Sequence, residues 1–341
     1  MGKIAHLIQI ILATIIGYFI ATLVLIRTFI TFVRSPVKFV SGTFFNKRKV
    51  MPTCLNDPSL GNHGFIHLEE VKLHYVACGD ESKPLMLCLH GFPEFWYSWR
   101  YQIREFSKDY RVVAIDQRGY ADSDKPSGYK NYTYEHLTND IKQLIPALGY
   151  SSCTLLSHDW GGAVAWQFAS RYPELVDKLV VCNCPHPGTF QKYVRGHWSQ
   201  FKKSWYMYFF QVPWVPELAF RANDLSFFNR VFKAFKNNKP SDEDIEAYKY
   251  TFAQKGALTG PINYYRAAFS SSIRPCKTKI NIPVLVVWGD PDEALNTELA
   301  ELAGEYVTNL TVKVIRNSNH FVNVDRPNEC NAVIREFLQG K

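Results

Sequence analysis

Residues 155–162 restrict the fold of this chain more than any other stretch. An apolar run ends at Ser157 and His158, two glycines follow at once after Trp160, and a helical pattern then resumes. This order predicts a strand, a tight turn and a helix, with Asp159 at the apex of the turn. Small residues at positions 157 and 161 suit such a turn, because a strained apex leaves little room on either side.

A carboxylate at that apex indicates a particular kind of nucleophilic chemistry. Aspartate is ionised at neutral pH, so Asp159 can attack a saturated carbon, as in an epoxide or an alkyl halide, without help from a base. The product is an ester between enzyme and substrate, which water must then cleave. The alternative role for Asp159 is a plain helix N-cap, which is the usual role of an isolated aspartate before a helix.

The N-terminal segment predicts a membrane anchor. Residues 7–26 are apolar except at a few positions, and this length exceeds the ~18 residues that suffice to cross a bilayer. A cleaved signal peptide is the alternative, but its apolar core is usually only about 7–15 residues long and ends at small residues. We therefore expect residues 1–33 to form a permanent single-pass anchor.

The distribution of charge predicts the orientation of this anchor. Basic side chains gather at residues 34–49, whereas Lys3 is the basic residue on the other side. The positive-inside rule then places the large domain in the cytosol, and we expect the endoplasmic reticulum to be the membrane. Asn131 and Asn309 begin glycosylation sequons that would be usable only if the domain faced the lumen. The net charge of +8 includes no basic tract typical of nucleic-acid binding.

Strands and helices alternate along the rest of the chain, which predicts a mostly parallel sheet covered by helices on both faces. The alternation pauses from about Pro187 to Cys276, where the sequence is aromatic and helical in character, and resumes with a strand, a helix at 297–306 and another strand. We expect the pause to be a cap over the strand ends, where such sheets bind ligands. The predicted divisions are a linker at 34–62, a first core part at 63–186, a helical cap at 187–276 and a second core part at 277–341.

Cleavage of an ester needs a base that activates water and a carboxylate that orients the base. His320 follows the last predicted strand, and Asp290, Asp292 and Glu293 follow the strand before it. The chain order of nucleophile, acid and histidine, each after a strand, is typical of one class of hydrolases. We prefer Asp292 as the acid, because residues 289–291 (GDP) before it form the turn that would present it. Asn183, after the preceding strand, cannot serve as an anion.

Backbone N–H groups must stabilise the oxyanion that forms when water attacks the ester. One such group belongs to Trp160, the residue after the predicted nucleophile. The other is expected from Phe92, in the loop that follows the strand at 85–89. Pro93 would fix that loop, and a cis peptide before it is one way to do so. An ordinary Gly-Pro turn is the alternative role for this loop.

Six short motifs together carry a resemblance to a known family. They are residues 90–94 (HGFPE), 116–126 (DQRGYADSDKP), 158–162 (HDWGG), 183–187 (NCPHP), 288–292 (WGDPD) and 319–321 (NHF). The chain resembles the epoxide hydrolases of the α/β-hydrolase superfamily, especially the N-terminally anchored animal members of the epoxide hydrolase 3/4 type. The resemblance extends from about His63 to the C-terminus. Ser157 and Ala121 depart from it, since each stands where the family more often has glycine.

The resemblance implies an α/β-hydrolase fold and an enzyme that opens epoxides without a cofactor or a bound metal. Members of this family use two cap tyrosines to hold the epoxide oxygen, which correspond here to Tyr206 and Tyr265. A phenol stays protonated at neutral pH and can therefore hydrogen-bond the departing oxygen. The neighbouring Tyr208 and Tyr264 are alternatives for these two positions, as is simple aromatic packing.

Two other functions are compatible with the same residues. A haloalkane-type dehalogenase shares the aspartyl ester and the histidine–acid pair, but it needs donors for a halide and no paired cap tyrosines. A non-catalytic lipid-binding homologue would keep the fold without needing His320. The small molecule that we expect is a lipophilic epoxide, with fatty-acid epoxides as one candidate, and the sequence implies no obligate protein partner. The cysteines are scattered and are expected to be reduced thiols.

Overall fold

An eight-stranded sheet forms the centre of the molecule in this computed structural model, which describes residues 2–45, 48–270 and 279–340, with side chains from residue 11 onward. Neighbouring strands follow the order β1-β2-β4-β3-β5-β6-β7-β8. β2 runs antiparallel to both of its neighbours, and the other adjacent strands are parallel. The strands are β1 Asn62–His67, β2 Lys72–Cys78, β3 Leu85–Leu89, β4 Arg111–Ile115, β5 Cys153–His158, β6 Val176–Cys182, β7 Ile280–Asp290 and β8 Val307–Arg316.

Helices cover the sheet because its central strands are apolar on both faces. β3 is apolar throughout, and every residue of β3 and of β5 is buried, so both faces of each strand must be covered. The helices are α1 Gly2–Arg34, α2 Pro36–Val40, α3 Arg100–Phe106, α4 Tyr134–Ala147, α5 Asp159–Arg171, α6 Pro187–Gly196, α7 Trp198–Lys203, α8 Trp205–Phe209, α9 Val215–Phe232, α10 Asp242–Ala253, α11 Thr259–Ser270, α12 Val322–Asp325 and α13 Pro327–Leu338. The predicted α/β class with a mostly parallel sheet is confirmed.

The predicted functional residues lie at one edge of this sheet. β3, β5, β6, β7 and β8 are adjacent and parallel, so their carboxyl ends point the same way. β5 ends at His158, immediately before Asp159, and β7 ends at Asp290, two residues before Asp292. The loops that leave these strand ends therefore meet above the same edge.

Six helices, α6 to α11, occupy residues 187–270 between β6 and β7, where the sequence predicts a cap. Residues 271–276 of the predicted cap lie outside the described residues. α9 is interrupted at residues 222–225, where the backbone leaves the right-handed helical region. Aromatic side chains of these helices meet the core: the ring of Phe92 packs edge-on against Phe210, Phe220 and Tyr265 at 5.5–5.6 Å between centroids.

α1 packs along the cap through its small residues. Ala13 and Ala21 are almost completely buried, and a side chain at Gly17 would collide with the backbone of Tyr208 in α8. The opposite face of α1 is exposed, as at Phe19 with 66% of its surface accessible. The part of α1 from residue 11 to residue 34 is long and apolar enough to cross a membrane.

The interval 34–62, predicted as a linker, contains short helical elements, and the one at Thr53–Asn56 contacts α10. After α2 come a π-helical turn at Ser41–Phe45 and two 3-10 turns at Thr53–Asn56 and Pro58–Leu60. The Thr53 hydroxyl and the Cys54 N–H both donate to Glu243, at 2.5 and 3.0 Å. This interval is therefore attached to the cap over much of its described length.

The helix predicted at 297–306 is absent from the structure. Two 3-10 turns, Thr297–Leu299 and Glu301–Glu305, take its place. Short connectors commonly form such tighter turns, and Gly304 lowers the helical propensity of this one.

Candidate active site

The turn at Asp159 has the strained geometry that its sequence predicts. Asp159 has a φ of 47°, in the left-handed region, directly between β5 and α5. A side chain at position 161 would collide with the backbone of Leu89, and one at position 91 would collide with the carboxylate of Asp159. The two glycines therefore let the β3 loop and the apex carboxylate approach closely.

The carboxylate of Asp159 lies between a backbone donor and a histidine. The Phe92 N–H donates to Asp159 Oδ1 at 2.7 Å, and His320 Nε2 lies 3.4 Å from Asp159 Oδ2. Burial alone would raise the pKa of Asp159, but the contact with His320 and its positive charge outweigh burial and lower that pKa. The group is consequently an anion at neutral pH.

One of the two groups predicted to donate to an oxyanion contacts this carboxylate, and the other follows it directly in the chain. Phe92 already donates to it, and the peptide between Phe92 and Pro93 is cis. Trp160 is the second residue of α5, and the first N–H groups of an α-helix have no partner within the helix. The arrangement thus offers backbone donors beside the carbon that water would attack.

His320 is oriented by Asp292. His320 Nδ1–H donates to Asp292 Oδ2 at 2.7 Å, and both side chains are buried. Burial alone would lower the pKa of His320, but the charge of Asp292 and the contact with Asp159 hold that pKa well above its ordinary value. Of the three acids considered from the sequence, Asp290 instead accepts from Thr297 at 2.6 Å, and Glu293 is exposed.

Asp292 is itself fixed by a dense set of donors. Its Oδ1 accepts from the N–H groups of Ala294 and Leu295 at 2.7 and 2.9 Å, and its Oδ2 accepts from the side chain of Asn183 at 2.7 Å. Burial opposes ionisation, but the charge of His320 and these donors lower the pKa of Asp292. The sequence excluded Asn183 as an anion but did not predict its role as a donor to the acid.

The structure distinguishes the four cap tyrosines. The rings of Tyr206 and Tyr265 lie 5.8 Å apart, and Tyr265 also packs 5.0 Å from Trp160. Burial, reinforced by the negative charge of Asp159, raises the pKa of both phenols. Tyr264 instead donates its hydroxyl to the Arg118 carbonyl at 2.8 Å, and Tyr208 packs against Phe201 and Phe269.

A buried acid–histidine pair that the sequence did not predict lies beside the site. Glu94 Oε2 is 2.6 Å from His158 Nδ1, and the other ring nitrogen of His158 donates to the backbone carbonyl of His320 at 3.0 Å. Both side chains are at least 99% buried. Glu94 and His158 lie inside two of the family motifs, close to the predicted functional residues Phe92 and Asp159. That position is the signal from which the sequence could have identified them.

The two departures from the family pattern have different structural consequences. Ser157 is completely buried, and its hydroxyl donates to the Val180 carbonyl at 2.9 Å, so this side chain is accommodated. Ala121 has a φ of 39°, which glycine adopts readily and alanine does not. Alanine at position 121 therefore strains the backbone. Serine at position 157 is buried, but its hydroxyl has a hydrogen-bond partner.

Comparison with known proteins agrees with this geometry at the level of fold. Residues 84–327 match the family described as the alpha/beta hydrolase fold. This is the class that the order of the strands and the site at their carboxyl ends define.

Similarity to curated relatives and solved structures identifies the family of this chain within that class. Epoxide hydrolase 4 of Homo sapiens is 46% identical over 302 residues, which cover 86% of this chain and 83% of that protein. Epoxide hydrolase 3 of Xenopus tropicalis is 42% identical over 310 residues, with 88% and 84% covered. A crystal structure of the Bacillus megaterium epoxide hydrolase with an inhibitor has a TM-score of 0.74 at 37% identity, covering 81% of this chain and 100% of that one. The chain belongs to the epoxide hydrolase family.

Proposed function

We propose that this protein hydrolyses lipophilic epoxides to vicinal diols through a covalent ester on Asp159. The observation that carries the proposal is the setting of the Asp159 carboxylate. It is ionised, it accepts from the Phe92 N–H, and it lies 3.4 Å from a histidine paired with a second buried acid. An ionised carboxylate at such a position can attack an epoxide carbon directly.

Ring opening needs a proton donor as well as a nucleophile. In the proposed step Asp159 attacks one epoxide carbon while Tyr206 and Tyr265 hydrogen-bond the oxygen that leaves it. The raised pKa of both phenols keeps them protonated, so each can stabilise the alkoxide as the carbon–oxygen bond breaks. One of the two phenols passes its proton to the alkoxide, so the products of this step are a β-hydroxy ester on Asp159 and a tyrosinate.

Ester cleavage then returns the enzyme to its starting state. His320, oriented by Asp292, removes a proton from water, and the water attacks the carbonyl carbon of the Asp159 ester. The N–H groups of Phe92 and Trp160 stabilise the oxyanion of the tetrahedral intermediate. When that intermediate collapses, the substrate oxygen leaves with the proton held by His320, and the diol is released. The second proton of the water returns to the tyrosinate, which restores the Asp159 carboxylate and the phenol, and no cofactor takes part.

The proposal extends to the substrate and the membrane. Aromatic side chains of the cap, Phe210 and Phe220, pack against Phe92, whose N–H donates to Asp159, and this favours apolar epoxides such as those of fatty acids. The exposed apolar face of α1 supports residues 1–33 as a single-pass anchor. The basic residues at 34–49 favour a cytosolic catalytic domain on the endoplasmic reticulum.

Each part of the chain has its own role in this mechanism. Residues 63–186 and 277–341 form the catalytic core, residues 187–276 form the cap that supplies the tyrosines, and residues 34–62 connect the anchor to the domain. The helices between β6 and β7 support the position of the cap.

The experiment that tests the function compares the purified wild type with its Asp159→Asn variant on a panel of lipid epoxides and haloalkanes. We expect diol formation by the wild type alone, because asparagine keeps the shape of the side chain but removes the anion. Halide release without turnover of any epoxide would identify a dehalogenase. Binding of lipid without turnover by either protein would identify a non-catalytic homologue.

A further inference from the structure

One helix of the cap holds the loop that carries Asp292. α7 presents Gln200, which is completely buried, and Lys203, which is partly buried, toward residues 292–296. The Gln200 side-chain amide donates to the Ala294 carbonyl at 2.9 Å and accepts from the Asn296 N–H at 2.8 Å. The loop is therefore held by a single side chain at two backbone groups, one on either side of Leu295.

Lys203 holds the same loop from the next turn of α7. Its ammonium donates to the carbonyl of Asp292 at 2.7 Å and to that of Leu295 at 3.3 Å. Ser199 is a third side chain of α7 that contacts the loop, since its hydroxyl accepts from the side chain of Asn296 at 2.9 Å. These side chains bind the backbone of the loop and the side chain of Asn296. None of these hydrogen bonds involves the carboxylate of Asp292.

The held loop determines the geometry of the acid. Asp292 Oδ1 accepts from Ala294 N–H and Leu295 N–H, so the shape of the loop sets the direction in which the carboxylate faces His320. The same cap segment continues into α8, where Tyr206 follows Lys203 by only three residues. One short stretch of the cap thus contacts the loop of the acid and carries one predicted proton donor.

We infer that Gln200 and Lys203 are positioning residues that hold the Asp292 loop against the cap, so that the acid–histidine pair stays aligned with the ester on Asp159. The inference rests on the proposed function, because it concerns the second of the two chemical steps. Neither side chain is required to touch the substrate. Loss of the contacts should let the loop relax and should weaken the interaction between Asp292 and His320.

Single-turnover kinetics with the Lys203→Met and Gln200→Leu variants of the full chain test this assignment. We expect ester formation to be unchanged and ester cleavage to slow about tenfold or more, since misplacing a catalytic group can cost up to about 10²-fold. Lys203→Arg should restore cleavage, because it keeps both the charge and the donors. Lys202→Met is the matched control: Lys202 is the neighbouring lysine of α7, it is exposed and it packs on Trp198.

The pH profile of ester cleavage gives a readout that a merely structural role would not change. The charge of Asp292 raises the pKa of His320, and His320 must be neutral to act as a base. A weaker interaction lowers that pKa, so the acid limb of the profile should move to lower pH in Lys203→Met. Equal slowing of both steps, or a lower melting temperature with an unmoved acid limb, would overturn the inference. Absence of any ester in the wild type would instead overturn the covalent mechanism, which separates the two failures.

Discussion

Replacement of His320 by glutamine should stop the reaction after ring opening. His320 Nδ1 is 2.7 Å from Asp292 and its Nε2 is 3.4 Å from Asp159, so the imidazole is placed to activate water rather than to attack. Glutamine can form a hydrogen bond but cannot accept a proton at neutral pH. The alkyl ester on Asp159 should therefore accumulate to one equivalent per enzyme molecule.

The expected size of the effect follows from the role of the base. Positioned general bases contribute typically 10²–10⁴-fold, which corresponds to about 3–5 kcal/mol of barrier to ester cleavage. Ring opening is affected differently, because His320 also lowers the pKa of Asp159 against the effect of burial. In the variant the pKa of Asp159 rises, so ring opening should slow at acid pH. It should recover at about pH 8, which is well above the ordinary pKa range of carboxyl groups.

The assay combines intact-protein mass with oxygen-18 labelling. At about pH 8 the variant should gain the mass of one substrate on the peptide containing Asp159. In the wild type, a single turnover in oxygen-18 water should label the Asp159 carboxylate and leave the first diol unlabelled, because one diol oxygen comes from the enzyme. A first diol that carries the solvent label, together with no ester in the variant, would refute the mechanism and make Asp159 a general base.

Further predictions concern the cap, the topology and acid stability. Tyr206→Phe with Tyr265→Phe should abolish ring opening in stopped-flow assays, each single change should only slow it, and Tyr264→Phe should leave it intact; full activity in the double variant would contradict the assignment. Asn131 and Asn309 should stay unglycosylated in cells, and a shift in mass removed by a glycosidase would place the domain in the lumen. The two active-site aspartates have lowered pKa values, so their stabilisation is present above about pH 4 and is lost as pH falls through their folded-state values. Denaturant midpoints measured from pH 7 downward should show that loss.

Local sequence was enough to predict the elements that follow from short-range rules. The turn at Asp159, the strand before it and the helix after it depend on residues within a few positions of the apex, and the structure has all three. The acid and the histidine could be named because parallel strands bring their carboxyl ends to one edge. Strand order brings His320 and Asp292 to the same edge, where they lie 2.7 Å apart.

Features that depend on long-range contacts could not be predicted in this way. The hydroxyl of Tyr264 donates to the Arg118 carbonyl, which lies 146 positions away in sequence, so the different surroundings of Tyr264 and Tyr265 could not be predicted locally. The donor role of Asn183 likewise depends on a partner 109 positions away. The interval 34–62 has the prolines of a linker, yet it contacts Glu243 of the cap, which its own composition does not reveal.

The left-handed backbone of Asp159 links the choice of nucleophile to conformational preference. Aspartate and asparagine populate this region several-fold more often than other residues apart from glycine, whereas serine at a φ of 47° would have to be held there by its surroundings. Replacing aspartate by serine at this apex would thus change the conformational energy of the backbone as well as the chemistry of the nucleophile. A lineage that moved from one nucleophile to the other would need compensating contacts around the turn before the new side chain could act.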